Sequence, residues 1–383
     1  MSSVQVLHVS HAVNTGLAHC VADYVEYQAK HGAQVTVACP GGRLATLAGA
    51  RGADVVTWKA ARGPGPGMLA EAGAFRRIFE EVRPDVVHLH CAKAGLIGRF
   101  VLRGRVPTVF SPHAWSFLAV EGAMRRAVLG WERFATRWTD VVICVSAAER
   151  DTGVAHGLRG RMEVLPNAVL PTAIEPIRAR PRPAVREAFG LEPGAPVAVC
   201  TARLARQKGQ DVLIDAWPTV RAAAPGARLV LVGDGPARPA LEAAVDTAGA
   251  EGVTFTGPVD REVALSWLHA SDVVVCPSRW EGMSLVPLEA MALGRPVVAT
   301  AVDGMAESVP PGTGWIVPPE DPEALAGAIV TVFGDPEAAR SAADAGRRRA
   351  ASAAGSSDDS SARLLDLYGE LLRGRRPPAE VGT

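Results

Sequence analysis

The stretch Pro277-Ser278-Arg279-Trp280-Glu281-Gly282-Met283-Ser284-Leu285-Val286-Pro287-Leu288-Glu289 decides how the rest of the chain is read. An apolar run, Val273 to Cys276, leads into it, and a helix-forming run, Leu285 to Leu293, leads out. The order is strand, loop, helix. Glu281 falls in the loop and Glu289 about one turn into the helix. The helix N-terminus between them has free backbone N–H groups and a partial positive charge, which makes a seat for a phosphate. Carboxylates accept hydrogen bonds from hydroxyls. Two acids flanking an anion seat therefore suit a ligand that is both phosphorylated and rich in hydroxyls, and a nucleotide sugar is such a ligand. Taken alone, the pair also reads as a solvated loop acid and a helix-face acid, so its neighbours carry the argument.

Outward from this stretch one pattern recurs. Asp85-Val86-Val87-His88-Leu89-His90, Asp140-Val141-Val142-Ile143-Cys144-Val145-Ser146 and Asp272-Val273-Val274-Val275-Cys276-Pro277-Ser278 each place an acid at the entry of a β-branched run and polar residues at its exit. Continuous apolar runs alternating with helices indicate parallel strands covered on both faces. Ligands of open parallel sheets bind at the carboxyl ends of the strands. In the first half this singles out His90, Lys93, His113 and Ser146, and His11 in the loop after the strand Val4 to Val9. In that loop, Gly16 lets backbone approach a ligand closely at a strand-to-helix turn. In the second half, Arg203 and Lys208 bracket the turn Arg203-Leu204-Ala205-Arg206-Gln207-Lys208-Gly209, where both cations converge on one anion.

The totals fit this picture. At 383 residues, 48% hydrophobic and 21% charged, the chain is globular and suits two domains. Its six cysteines form no C-x-x-C and read as reduced thiols of a cytosolic protein. The start carries no signal peptide pattern, and no apolar run is long enough for a spanning helix. Net charge is zero, but the first 180 residues are basic on balance and the remainder acidic by the same margin. A basic first half faces an anionic acceptor or lipid surface, or only solvates its helices. The amphipathic stretch Glu121 to Asp140 is read as a helix that packs Trp131 and Trp138 on the sheet and solvates its arginines, with a membrane-surface helix as the alternative.

Four of these features together resemble the retaining glycosyltransferases of family 4, which have the GT-B fold. They are the E-x7-E pair, the turn that matches R-L-x-x-x-K-G, the segment Gly233-Asp234-Gly235-Pro236, and the strand Thr108-Val109-Phe110-Ser111 followed by Pro112-His113-Ala114. The resemblance implies two Rossmann-like domains with parallel sheets facing across a cleft. Residues 1–170 are expected to form the acceptor-side domain, 171–195 a linker, 196–355 the nucleotide-sugar domain, 362–374 a helix crossing back to the first domain, and 375–383 a disordered tail.

The resemblance also implies roles. Glu281 binds sugar hydroxyls and orients the ring, with His113 beside the donor sugar, as the catalytic pair. Glu289 binds the ribose. Arg203, Lys208 and Gly16 meet the diphosphate. Gly233, Val259, Ser284, Leu285 and Val286 lie in matching donor-binding segments. His11, His90 and Lys93 are acceptor-side residues. No metal or cofactor is implied, because the two cations stabilise the departing diphosphate. The implied partners are a nucleotide sugar, with uridine the commoner base, and an unidentified acceptor such as a glycolipid or small-molecule glycoside. Nucleic acid is not implied. The expected location is cytoplasmic, with peripheral membrane contact through the basic half. Departures from the family pattern are Thr15-Gly16 for two glycines, Ala168 for glycine, Ser284 for glycine, and a single glycine in Asp303-Gly304. The rival functions are a nucleotide-sugar epimerase of the same fold and a non-catalytic nucleotide-sugar binding module.

Overall fold

A computed structural model describes every residue except 1–2, 14–15, 62, 64, 353–356 and 375–383. The expected tail, Asn14 and Thr15 of the first loop, and the start of the polar break at Ser356 lie outside the described residues. The chain divides into two units. One runs to Asn167 and resumes at Ser357; the other begins at Ala168 and ends before that return.

The first unit holds seven strands: β1 (Gln5–Ser10), β2 (Gln34–Cys39), β3 (Asp54–Thr57), β4 (Val86–His90), β5 (Thr108–Ser111), β6 (Val141–Cys144) and β7 (Met162–Val164). They form one sheet in the order β3-β2-β1-β4-β5-β6-β7, parallel throughout. The second unit holds β8 (Val197–Thr201), β9 (Arg228–Val232), β10 (Val253–Gly257), β11 (Val273–Cys276), β12 (Val297–Thr300) and β13 (Trp315–Val317), in the order β10-β9-β8-β11-β12-β13. Two parallel sheets flanked by helices are the two Rossmann-like units expected of a GT-B chain. In each sheet the strand order reverses once, between β1 and β4 and between β8 and β11. Ligands bind at the carboxyl ends beside such a reversal.

The acids at the strand entries have a structural reason. Asp85 accepts from the Gln5 N–H at 2.8 Å, Asp140 from Thr108 N–H at 2.8 Å, and Asp272 from Val197 N–H at 2.9 Å. Each clips the start of the neighbouring strand and satisfies an N–H at the sheet's amino edge.

Three stretches differ from expectation. The supposed linker contains two helices, Pro171–Arg178 and Arg182–Ala188. Their Ile174 and Ile177 join the second unit's core, and Arg186 reaches Asp272 and the Ala195 carbonyl. Proline-rich composition misleads here: Pro171 and Pro183 sit in a first turn, where a helix tolerates proline, while Pro176 lies inside the first of the two helices. The last helix, Ser357–Gly374, begins earlier than 362. Its Leu364, Leu367 and Tyr368 are fully buried with Val6, Val86 and Val109 of the first sheet. In the helix Gly122–Ala135 and the following turn, Trp131 and Trp138 do not lie on the sheet. They pack in tilted and edge-on contacts with each other and with Phe134, ring centroids 4.9 to 6.2 Å apart. The helix buries Ala135 and Glu132, the latter paired at 2.8 Å with Arg99, whose guanidinium covers Phe110 of β5 at 3.9 Å. Among the described residues no helix is long and apolar enough to cross a membrane.

Candidate functional site

In the second unit the carboxyl-end loops of four adjacent strands are knitted together. After β8, the turn 203–209 lies against the turn after β9: Leu204 N–H donates to the Asp234 carbonyl at 3.0 Å. Gly233 has φ +128 and packs so closely that a Cβ there would sit 2.3 Å from the Ala202 carbonyl oxygen. Gly233 N–H in turn donates to the Gly257 carbonyl at 3.2 Å, beside the loop that carries Val259. On the other side, Arg279 N–H donates to the Gln207 carbonyl at 2.8 Å, and the Gln207 amide to the Trp280 carbonyl at 3.0 Å. Gly209, at φ +63, would place a Cβ 2.0 Å from the Pro277 carbonyl oxygen, so only glycine fits between the two loops. Arg203 stands at the start of this turn, its carbonyl accepting from the Gln210 amide.

Within this frame two residues singled out from sequence meet. The Lys208 ammonium pairs with Glu281 Oε1. The same oxygen accepts from the Ser278 hydroxyl at 2.8 Å. Glu281 is only 7% exposed, so its carboxylate is held in one geometry by an ammonium and a hydroxyl. The helix Leu285–Ala292 follows, with Ser284 at its N-cap position but no side-chain cap bond. Ser284 thus leaves the amides of Leu285 and Val286 uncapped by its hydroxyl, an anion seat of the ordinary kind. Glu289, one turn on, is buried. Burial pushes its carboxyl up, and Arg261, bonded to Oε1 at 2.8 Å, opposes the rise. Arg261, Ser278 and Gln207 carry this geometry without having been singled out as site residues. Ser278 was visible as the polar exit of β11; Arg261, at the start of the helix Arg261–Ala270, left no local signal.

In the first unit the arrangement is different. His90, at the end of β4, is fully buried. Its Nε2 lies 2.9 Å from His8 Nδ1 and its Nδ1 lies 3.2 Å from His113 Nε2. His8 Nε2 in turn meets the Gln28 amide oxygen at 2.9 Å. His88 bonds the Tyr368 hydroxyl at 2.6 Å and the Ser111 hydroxyl at 2.8 Å. Burial pushes all four imidazoles down, His8 and His113 to about 4 and His88 and His90 well below the usual range. The nitrogens of His8, His88 and His90 lie within 4.8 Å of one another, close enough to suggest a metal centre. The ring nitrogens are, however, already matched to Gln28, Tyr368, Ser111 and one another, which describes a neutral hydrogen-bonded network. Sequence reasoning missed His8 and His88. The available signal was the H-x-H of β4, which puts both rings on one face of a strand.

His113 is partly exposed and sits in left-handed backbone, φ 52, followed by Ala114 at φ 97. Consecutive non-glycine residues in this region are strained and need outside support. Glu149 supplies it, accepting from Ala114 N–H at 2.6 Å and from Val145 N–H at 2.7 Å. Ser146 caps the helix that carries Glu149. Of the three acceptor-side residues, His90 and Lys93 are enclosed. Lys93, 4% exposed, bonds Glu71 at 2.8 Å and the Gly63 carbonyl at 2.6 Å. Burial raises the Glu71 carboxyl, but Lys93, the Ala61 N–H and His11 outweigh it and hold it low. His11 is thus a neighbour of this pair. Gly16 opens the helix Gly16–Lys30 after β1 and is exposed.

Comparison with known proteins adds to this geometry. Residues 14–172 match the family model described as Glycosyltransferase Family 4, and residues 195–335 the model described as Glycosyl transferases group 1. Over 342 residues the chain is 34% identical to a "GDP-mannose-dependent alpha-(1-6)-phosphatidylinositol monomannoside mannosyltransferase" of Mycolicibacterium smegmatis, covering 83% of this chain and 85% of that one. It is also 34% identical to the corresponding enzyme for the monoacylated substrate from Corynebacterium glutamicum, but that match spans 50% of this chain and 52%, about half, of the relative. Among solved structures, the sucrose-phosphate synthase of Thermosynechococcus elongatus superposes with a TM-score of 0.83 at 23% identity, covering 97% of this chain and all of that one, a likeness of fold.

Proposed function

The chain belongs to the family 4 glycosyltransferases of the GT-B class, and from that premise we propose that it moves a hexosyl group from a nucleoside diphosphate sugar to an acceptor hydroxyl with retention at the anomeric carbon. The observation that carries the reading is the Lys208–Glu281–Ser278 cluster beside the N-terminus of helix Leu285–Ala292. A diphosphate competes with Glu281 for the ammonium of Lys208 and is seated on the amides of Leu285 and Val286, with Arg203 as the second cation and Gly16 and Gly233 as close backbone contacts. Glu281, relieved of Lys208, accepts from sugar hydroxyls, and Glu289 from the ribose. Val259 presents backbone to the base. Ser284 lines the sugar seat, and His113 is the first unit's contribution to the reaction. The bond from the anomeric carbon to the phosphate oxygen breaks, the bond to the acceptor oxygen forms on the same face, and the acceptor's proton passes to the leaving phosphate. Lys208 and Arg203 stabilise the charge that builds there.

A thermal-shift panel of UDP-, GDP- and ADP-sugars tests the donor, since a ligand of the folded state raises the melting temperature. A UDP-sugar is the first reading. The likeness to the 34% identical GDP-mannose-dependent mannosyltransferase favours GDP-mannose as the second, and a phosphatidylinositol glycolipid as the acceptor class to try first. Transfer should survive EDTA, and NMR of the product should show the donor's anomeric configuration. An inverted product, or an epimerised free sugar, would overturn the reaction class. Retention of label by sedimented vesicles would test the peripheral membrane location.

A further inference from the structure

One amide and three imidazoles in the first unit define more than a buried cluster. A neutral imidazole has one N–H and one lone pair. His8 places Nε2 against the Gln28 amide oxygen and Nδ1 against His90 Nε2, both at 2.9 Å. An amide oxygen only accepts, so His8 donates from Nε2 and its Nδ1 is a lone pair. His90 must then donate from Nε2, which leaves its Nδ1 to accept at 3.2 Å from His113 Nε2. His113 therefore keeps its proton on Nε2, and its Nδ1 carries a lone pair that makes no hydrogen bond to a described residue. The second branch imposes no direction, because His88 bonds two hydroxyls, Tyr368 and Ser111, each able to donate or accept. Burial keeps the rings neutral, as the argument requires. The Glu149 clamp on Ala114 fixes the loop at the outer end of the chain.

We propose that Gln28, His8 and His90 are positioning residues that lock His113 as an Nε2–H tautomer, so that its outer nitrogen can only accept a hydrogen bond. The ligand group it recognises is then a hydroxyl or other neutral donor, not a phosphate oxygen. The statement about the ligand rests on the transferase reading above; the tautomers do not.

The test is long-range 1H–15N correlation of the histidine rings in the uniformly labelled full-length protein near neutral pH. His8, His90 and His113 should each show a protonated Nε2 and a bare Nδ1. An Nδ1–H form at any of the three overturns the proposal, and this measurement needs no variant. Gln28→Met, close in shape but without the acceptor, should turn the single His113 tautomer into a mixture. A His113 that stays purely Nε2–H in that variant also overturns it. In transfer assays Gln28→Met should lower kcat about tenfold, the effect of one misdirected hydrogen bond, with the donor KM within about twofold. A protein with locked tautomers and no transfer activity would break the functional reading and leave the lock standing. An active protein with mixed tautomers would do the reverse.

Discussion

The two units share a sheet plan and a reversal of strand order, yet they furnish the reversal point in opposite ways. At β8 and β11 the loops bring full charges together: Lys208 on Glu281, Arg261 on Glu289, and Arg279 in a fork with Asp211 at 2.8 Å. At β1 and β4 the same position holds uncharged imidazoles, buried and bonded end to end. Charges in partly exposed loops can be re-paired by an anion that arrives. Neutral rings inside the sheet cannot, and can only orient what lies at their rim. The fold therefore supplies the place, and the side chains decide whether it binds charge or sets direction.

The largest effect that would break this contrast is on the charged side. Lys208→Ala should lower kcat/KM by about a hundred- to a thousandfold, roughly 3–4 kcal/mol, and remove most of the donor thermal shift, while the histidine ring spectra stay as they are. An unchanged shift would put the phosphate seat elsewhere. Next, Gly209→Ala forces a Cβ onto the Pro277 carbonyl at a positive φ, and should destabilise the second unit by about 2–3 kcal/mol in denaturant titrations. A neutral result would mean that the two loops are not pinned.

The third prediction concerns acid. His8 and His113 have folded-state values lowered from 6.5 to about 4. Below 6.5 the unfolded chain takes up protons that the folded rings refuse, so stability is intact above that pH and declines as pH falls toward 4. The slope should be about 1.4 kcal/mol per pH unit for each such ring. Urea unfolding between pH 7.5 and 4.5 should show the loss in the first unit before the second, and a flat profile would remove the neutral-imidazole side of the contrast. Smallest is Ser278→Ala, which deletes one hydrogen bond to Glu281 and should reduce kcat/KM about fivefold, near 1 kcal/mol.

The charged candidate cluster was legible as a pairing of Lys208 with Glu281, whereas of the neutral cluster only His90 and His113 stood out, for a physical reason. Arg203, Lys208, Glu281 and Glu289 stand in loops and at a helix start, where a charged residue beside a strand end is conspicuous. The strands themselves were legible as apolar runs, and the recurring acids at their entries turned out to clip the neighbouring strand. His8 and His88 lie mid-strand among valines and leucines, and only the register His8↔His88 and Ser10↔His90 makes a network of them. Glu149 was equally hidden, since its role is to hold two loop amides that are distant in sequence. The segment 171–195 was misread because composition was weighed above spacing: Ile174 and Ile177 are three apart, as on one helix face.

The last helix has a consequence for synthesis. Leu364, Leu367 and Tyr368 complete the core over β1, β4 and β5, and Tyr368 bonds His88. A nascent chain emerging from the ribosome exposes that apolar face through the whole translation of the second unit. The earlier-made half therefore waits, unfinished, until the helix after the second unit has been made, and the second, contiguous unit is the one able to fold first.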